Sequence, residues 1–407
     1  MRIVVVGGGL AAASAVTELR EQGHDGSVTV LAGESHLPYE RPPLSKGLLL
    51  GDSTEEAARV HDQQWYDDHD VALHLGSPVT GLDLDRARVA AGDHSFPYDR
   101  LLLATGARPR RLELADASGA PTAYLRTLED SRRLLESLTP GRGLLILGGG
   151  WIGLEVAAAA RTRGADVTIV EPRELPLLAV LGPEVATRFA DLHRGHGVDL
   201  RLGTGVAGIA PRPDGGARVR IDDGSDVDAD LVVVAIGVEP EDGLAREAGL
   251  DVDNGILVDA RLRTSDPAVF AIGDVANHEH PALGRRIRVE HWDTAIHQGR
   301  AAARVMLGGD EPYTRLPYFF TDQYDLGMEY VGSVAPGGGE DVVLREAEGA
   351  STFTAFWLSG DRVDAGMHVN DWDAIDDIRA LVGSRVDRAR LADPDVPLAD
   401  LRGRRVS

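Results

Sequence analysis

The 407-residue chain contains no cysteine. That excludes disulfide-reductase chemistry, a sulfenate-based peroxidase, Cys-ligated zinc and an iron–sulfur cluster held by this chain. Positive charge is scarce: 42 Lys and Arg stand against 65 Asp and Glu, a formal net charge of −23. Such a field makes nucleic acid and anionic membrane surfaces unsuitable partners. Lysine is almost missing, since every basic residue except Lys46 is an arginine. A guanidinium is larger than an ammonium and never loses its proton, so the single lysine marks a place that needs a compact ammonium. No apolar run approaches the ~20 residues of a membrane span. Met1-Arg2-Ile3 leads straight into a strand-like run. That leaves no room for a signal peptide, and a cytoplasmic location is expected. Aromatic residues make up only 5%, and half of the 20 lie between Tyr313 and Trp372.

What the chain has is glycine, 48 of them, and the most informative fall in two fingerprints. The first is Val4-Val5-Val6-Gly7-Gly8-Gly9-Leu10-Ala11-Ala12, followed by the apolar run Val28 to Leu31 and Glu34. The second is Leu144-Leu145-Ile146-Leu147-Gly148-Gly149-Gly150-Trp151-Ile152-Gly153, followed by Val167 to Val170 and Glu171. Each lies between a strand-like run and an alanine-rich helical run, with an acid about 20 residues on, as dinucleotide binding requires. The first glycine makes the tight turn, the second admits backbone to the pyrophosphate, and the third small residue, Ala12 or Gly153, packs helix on strand. The helix N-terminus then holds the phosphates, and the acid takes a ribose hydroxyl. Two such sites imply two dinucleotides, and chemistry that needs two held face to face is hydride transfer between nicotinamide and flavin. Without cysteine, the electron acceptor takes electrons from the flavin directly.

The order of patterns predicts an α/β fold with two Rossmann-like domains, for FAD and NAD, plus a C-terminal α+β domain. Residues 1–110 and 240–314 are expected to form a discontinuous FAD domain, 111–239 the NAD(H) domain, and 315–407 the C-terminal domain with a flexible tail. The spacing predicts a helix from His291 to Met306, a strand-like run from Ser351 to Leu358, and a helix from Asp371 to Val382 with Asp371 as its N-cap.

Six segments carry a resemblance to a known family: the two fingerprints, Pro38-Tyr39-Glu40-Arg41-Pro42-Pro43-Leu44-Ser45-Lys46, Ala104-Thr105-Gly106-Ala107-Arg108-Pro109, Ala271-Ile272-Gly273-Asp274-Val275, and Val289-Glu290-His291-Trp292. Over residues 1 to about 382 the chain resembles the FAD-dependent ferredoxin reductases of the putidaredoxin and rubredoxin reductase type, relatives of apoptosis-inducing factor and monodehydroascorbate reductase. The Arg-Pro-Pro-Leu-Ser-Lys segment separates this branch from cysteine-dependent relatives. The resemblance implies that Arg41 and Lys46 lie against the flavin, that Arg126 and Asp274 hold FAD, and that Trp292 sits by the isoalloxazine. It also implies that Ala104, Thr105, Gly106, Gly237 and Glu290 line the cofactors, and that Glu155 faces Lys46 across the nicotinamide site. An ammonium near the flavin would favour its anionic reduced form, and Glu155 would balance that charge in the oxidised state. Lys46 and Glu155 are the expected catalytic pair.

NADH is therefore expected to pass hydride to FAD, with single electrons going on to a [2Fe–2S] ferredoxin that serves an oxygenase or cytochrome P450. The alternatives are a reductase of a small acceptor such as a quinone or ascorbyl-like radical, and an NADH-sensing flavoprotein akin to apoptosis-inducing factor. NADH is expected over NADPH because Glu171 would repel a 2′-phosphate, although Arg173 lies two residues on. Two features depart from the family. Phe320-Thr321 stands where relatives carry Trp then Ser, on the acceptor side of the flavin. A reductase of charge −23 also repels an acidic ferredoxin on average, so a local cluster of Arg285, Arg286, Arg288, Arg300, Arg304 and Arg315 is the candidate docking site. His278 and His280 are expected to point apart and, with no third ligand, to bind no metal. His297 and Gln298 are expected to be packed or capping groups. The protein is expected to be a monomer or weak homodimer.

Overall fold

The computed structural model describes residues 1–335, 341–346 and 352–401. The chain folds into two compact units. The first comprises Met1–Pro42, Glu55–Arg108 and Val238–Pro317; the second comprises Pro43–Thr54, Pro109–Gly237 and the chain from Tyr318 onward.

In the first unit a parallel sheet runs in the order Val269–Ala271, Arg100–Leu103, Ile3–Val6, Val28–Leu31, Val71–His74. A parallel sheet is covered on both faces, which is why its central strands read as unbroken apolar runs. All four side chains of Ile3–Val6 are buried. The helix Leu10–Glu21 leaves the sheet directly after the first glycine cluster. Its alanines let the helix Trp292–Met306 approach so closely that a Cβ on Gly299 would stand 2.6 Å from the Ala11 carbonyl. His291 is the N-cap of the latter helix, accepting from the Asp293 N–H.

His278 and His280 lie on the strand Ala276–His280 of a small sheet. The expectation that they point apart is wrong. Residues two apart on a strand share a face, and the two buried rings are 5.2 Å apart between centroids. His278 Nδ1 faces the Gln298 amide and His280 Nε2 the Arg315 carbonyl. Among the described residues no cluster of three or more metal-ligating side chains occurs.

The second unit repeats the plan, with a parallel sheet in the order Asp199–Leu202, Asp166–Glu171, Gly143–Leu147, Leu231–Val234, Thr122–Ala123. The helix Trp151–Thr162 follows the second glycine cluster. An antiparallel sheet from the C-terminal part runs Tyr318–Gln323, Leu326–Gly332, Arg362–Val369, Phe353–Ser359, Val342–Arg345. Ser351, the expected start of its fourth strand, lies outside the described residues. The helix expected from Asp371 to Val382 spans Ile375–Leu381, with Ala374 as its N-cap. The Asp371 N–H donates to His368 Nδ1 at 3.3 Å, and its carbonyl accepts from Ala374 in a turn, so the helix starts later.

Two differences from the expected domain plan follow from burial. Residues 43–54 cluster with the second unit. Leu49 is fully buried in a core with Leu134, Leu138 and Leu154, Ser131 Oγ donates to the Leu44 carbonyl, and Arg163 donates to the Leu50 carbonyl. The tail, expected to be flexible, forms a short helix, Arg388–Ala392, and Arg345 gathers the carbonyls of Leu391, Asp393, Pro394 and Val396. Residues 402–407 lie outside the described residues.

Candidate functional site

The two fingerprints build the same cradle. Gly7 has φ +122°, and a Cβ there would stand 2.1 Å from the Ala104 carbonyl oxygen. Gly148 has φ +107°, and its Cβ would stand 2.4 Å from the Ala235 carbonyl oxygen. Only glycine fits either turn. The next helical layer is closed by Ala12, fully buried, and by Gly153, whose Cβ would lie 2.2 Å from the Gly148 carbonyl. By contrast, Gly9 and Gly150 have nothing within 4 Å of a would-be Cβ. Each is the N-cap of its helix, no side chain caps it, and the first turn holds no acid. Open space, uncapped N–H groups and a positive dipole end are what a pyrophosphate requires, so both cradles fit a dinucleotide.

Around the first cradle, Glu34 accepts from Tyr39 Oη at 2.6 Å and from Arg41 Nη2 at 2.9 Å. Burial opposes the Arg41 charge, but Tyr39, Glu34 and Asp274 together hold the guanidinium above its ordinary pKa. Ala104 continues the strand ladder through the Val6 carbonyl. Thr105 Oγ donates to the Glu241 carbonyl, whose N–H in turn meets the Gly106 carbonyl. Asp274 sits in a 3₁₀ turn whose Gly273 N–H is held by Gln298 Oε1 at 2.8 Å. Its carbonyl accepts from Arg288, which also pairs with Glu290. Trp292 opens the helix after this segment and packs partly against the first unit's core. Gln298 is thus a buried clamp on the Asp274 turn.

Arg126 falls in the second unit, and its backbone N–H is held by Asp130. In the second cradle Glu171 folds back, Oε2 accepting from the Gly149 N–H at 2.7 Å and Oε1 from the Arg173 N–H at 3.0 Å. Gly237, with φ +96°, turns the chain after the strand Leu231–Val234, and its carbonyl accepts from Arg110.

Lys46 and Glu155, expected as the catalytic pair, meet directly. Lys46 Nζ lies 2.7 Å from Glu155 Oε1, and Glu155 is only 5% exposed. Ser45 Oγ donates to Glu155 Oε2 at 2.5 Å and Thr321 Oγ to Oε1 at 2.7 Å. Phe320 offers its ring face to Lys46 Nζ, 5.3 Å from the centroid. A carboxylate this buried needs donors in place of water, and here an ammonium and two hydroxyls supply them. The sequence assigns no contact with Glu155 to Ser45 or Thr321. Their pairing joins segments more than 100 residues apart, for which no local pattern exists.

The Arg cluster is less positive than it reads. Arg304 pairs with Glu18, Arg315 with Asp293 and Arg288 with Glu290, while Arg286 donates to the Val258 and Asn277 carbonyls. His297 lies 3.4 Å from Asp293.

Comparison with known proteins agrees with this geometry. Residues 1–299 match the pyridine nucleotide-disulphide oxidoreductase model, and residues 318–402 match the reductase C-terminal model. The chain is 43% identical, over 97% of its length and 98% of the relative's, to the ferredoxin–NAD(+) reductase component of the anthranilate 1,2-dioxygenase system of Burkholderia cepacia. It is 35% identical to putidaredoxin reductase of Pseudomonas putida, over 98% of this chain and 96% of that one. The crystal structure of the covalent putidaredoxin reductase–putidaredoxin complex superposes with a TM-score of 0.93 at 35% identity, covering 98% and 97% of the two chains. With no cysteine in either cradle or anywhere else, the chain belongs to the pyridine nucleotide-disulphide oxidoreductase family through its branch of FAD-dependent ferredoxin reductases.

Proposed function

We propose that this protein takes hydride from NADH and delivers single electrons to a [2Fe–2S] ferredoxin that supplies an oxygenase or cytochrome P450. The observation that carries the reading is the Lys46–Glu155 pair, the chain's sole lysine held on a buried carboxylate in a protein without cysteine. FAD, when bound, accepts two electrons as hydride and releases them one at a time. The first cradle would hold it through the N-terminus at Gly9, with Glu34 on a ribose hydroxyl and Arg41 and Asp274 on its polar chain. Residues 1–110, apart from 43–54, and 240–314 would then be the FAD domain, 111–239 the NAD(H) domain, and 315–407 the C-terminal domain. The second cradle would take NADH on Gly150, with Glu171 on the adenosine ribose. Lys46 would supply positive charge where negative charge accumulates, and Glu155 would hold that ammonium in place and meet the nicotinamide. The cytoplasm is where such a reductase would meet NADH.

Steady-state NADH oxidation coupled through a ferredoxin to cytochrome c tests the reading, with ferredoxins encoded beside the gene and a set of quinones in parallel. Rapid ferredoxin-dependent reduction is expected. Faster direct reduction of a quinone would move the function to a small acceptor, consistent with Phe320-Thr321. Sluggish turnover with a long-lived charge-transfer complex would favour a sensor.

A further inference from the structure

Glu155 is the terminus of a hydrogen-bond chain that runs through the second unit. Thr321 Oγ donates to Glu155 and lies 3.2 Å from Gln323 Nε2. Gln323 Oε1 lies 2.8 Å from His193 Nε2, and Tyr324 Oη lies 3.4 Å from His193 Nδ1. Thr321, Gln323 and His193 are buried to 1%, 1% and 0% exposure. Tyr324 closes the chain toward solvent, its ring stacked at 3.6 Å on exposed His196.

Chemistry fixes the direction of every bond. An ionised carboxylate only accepts, so the Thr321 hydroxyl must donate to it. The Thr321 oxygen then accepts from the Gln323 amide nitrogen, which turns the Gln323 carbonyl toward His193. His193 must carry its proton on Nε2, leaving Nδ1 to accept from Tyr324. Burial favours the neutral ring, holding the His193 pKa down to about 4. Tyr324 adopts φ +56° at the tip of its hairpin, a conformation unusual for a bulky residue.

We propose that Thr321, Gln323 and His193 are positioning residues for Glu155. Their one-way chain holds its carboxylate turned onto Lys46, and so sets the rate at which NADH reduces the bound flavin. The chain joins a helix of the nicotinamide domain to a C-terminal strand, so the C-terminal domain acts on the reductive half-reaction. This inference rests on the role proposed for Glu155.

The test is stopped-flow reduction of the FAD-loaded Thr321→Val, Thr321→Ser, Gln323→Leu and Glu155→Ala variants by NADH, separating limiting rate from NADH affinity. Thr321→Val and Gln323→Leu should slow the limiting rate about tenfold with an unchanged bound-flavin spectrum, even where the lost buried bond lowers the melting temperature. Thr321→Ser should restore the wild-type rate. A slow Glu155→Ala beside wild-type rates in Thr321→Val and Gln323→Leu would overturn the positioning role and leave Glu155 standing. A wild-type rate in Glu155→Ala would remove the reading beneath it. If the variants fail to bind FAD, ¹⁵N NMR of the wild-type holoenzyme decides, with His193→Asn used to assign the ring. The Nε2–H tautomer is expected at neutral pH, and an Nδ1–H ring would refute the chain.

Discussion

At the scale of single residues, the Lys46–Glu155 pair sets the sharpest expectation. Removing one partner of a buried pair leaves the other charge facing a medium that cannot solvate it. Lys46→Ala leaves Glu155 with the two hydroxyls of Ser45 and Thr321. If Lys46 has the role proposed for it, FAD should bind less tightly or its reduction potential should fall, because a positive charge that favours the reduced flavin would be lost. Anaerobic redox titration measures this, and an unchanged potential together with unchanged affinity would show that the ammonium acts on nothing but Glu155. Glu171 makes a second residue-scale case. Its carboxylate already accepts from Gly149 and Arg173 N–H groups, which pins it beside the second cradle. Glu171→Ala should reduce the NADH-to-NADPH ratio of kcat/KM by about tenfold, the worth of one charge-assisted contact. Equal ratios would place Glu171 outside the ribose site.

At the scale of elements, the glycines separate folding from binding. Gly7 and Gly9 are two residues apart in one turn, yet a side chain meets opposite fates at the two. At Gly7 it collides with the Ala104 backbone in a left-handed conformation, whereas at Gly9 φ is −91° and the space is open. Gly9→Val should therefore fold with a thermal midpoint close to that of the wild-type apoprotein while losing FAD. Gly7→Ala should lower the midpoint itself, by about 2 kcal/mol or more of stability for an overpacked, strained site. Apoprotein melting and flavin titration of the two variants check this, and equal melting losses would deny that Gly9 faces a ligand. These elements were legible in the sequence because glycine spacing and apolar runs are local signals. The environment of Glu155 was not. Ser45, Thr321, Gln323 and His193 reach it from three distant segments, and residues 43–54 join the second unit through Leu49, a contact no periodicity encodes. His278 and His280 share a face because a strand alternates every residue, so a two-residue separation brings side chains back to the same side.

At the scale of the whole molecule, two buried histidines, one in each unit, make stability depend on acid. Burial holds both His193 and His278 down to about 4, below an ordinary histidine. The sign follows from which state takes up protons first. The unfolded chain protonates its histidines near pH 6.5 and the folded chain only near 4, so between these values the unfolded state binds more protons and gains stability. Their contribution is complete above about pH 6.5 and is lost as pH falls toward 4, amounting to about 2 kcal/mol for each histidine at pH 5. Carboxylates held low by arginine partners, such as Asp99 at about 2, respond only at lower pH; His280, also held low by burial, adds to the slope, while Asp322, raised by burial, opposes it at the acid end of the window. Thermal melting of the apoprotein across that window should show a midpoint that rises with pH and then levels off near 7. His193→Gln and His278→Gln should each flatten part of the slope, whatever either does to the plateau. The two losses should add, because the residues lie in separate units and share no partner. A slope unchanged in both variants would show that the rings are already solvated in the folded protein.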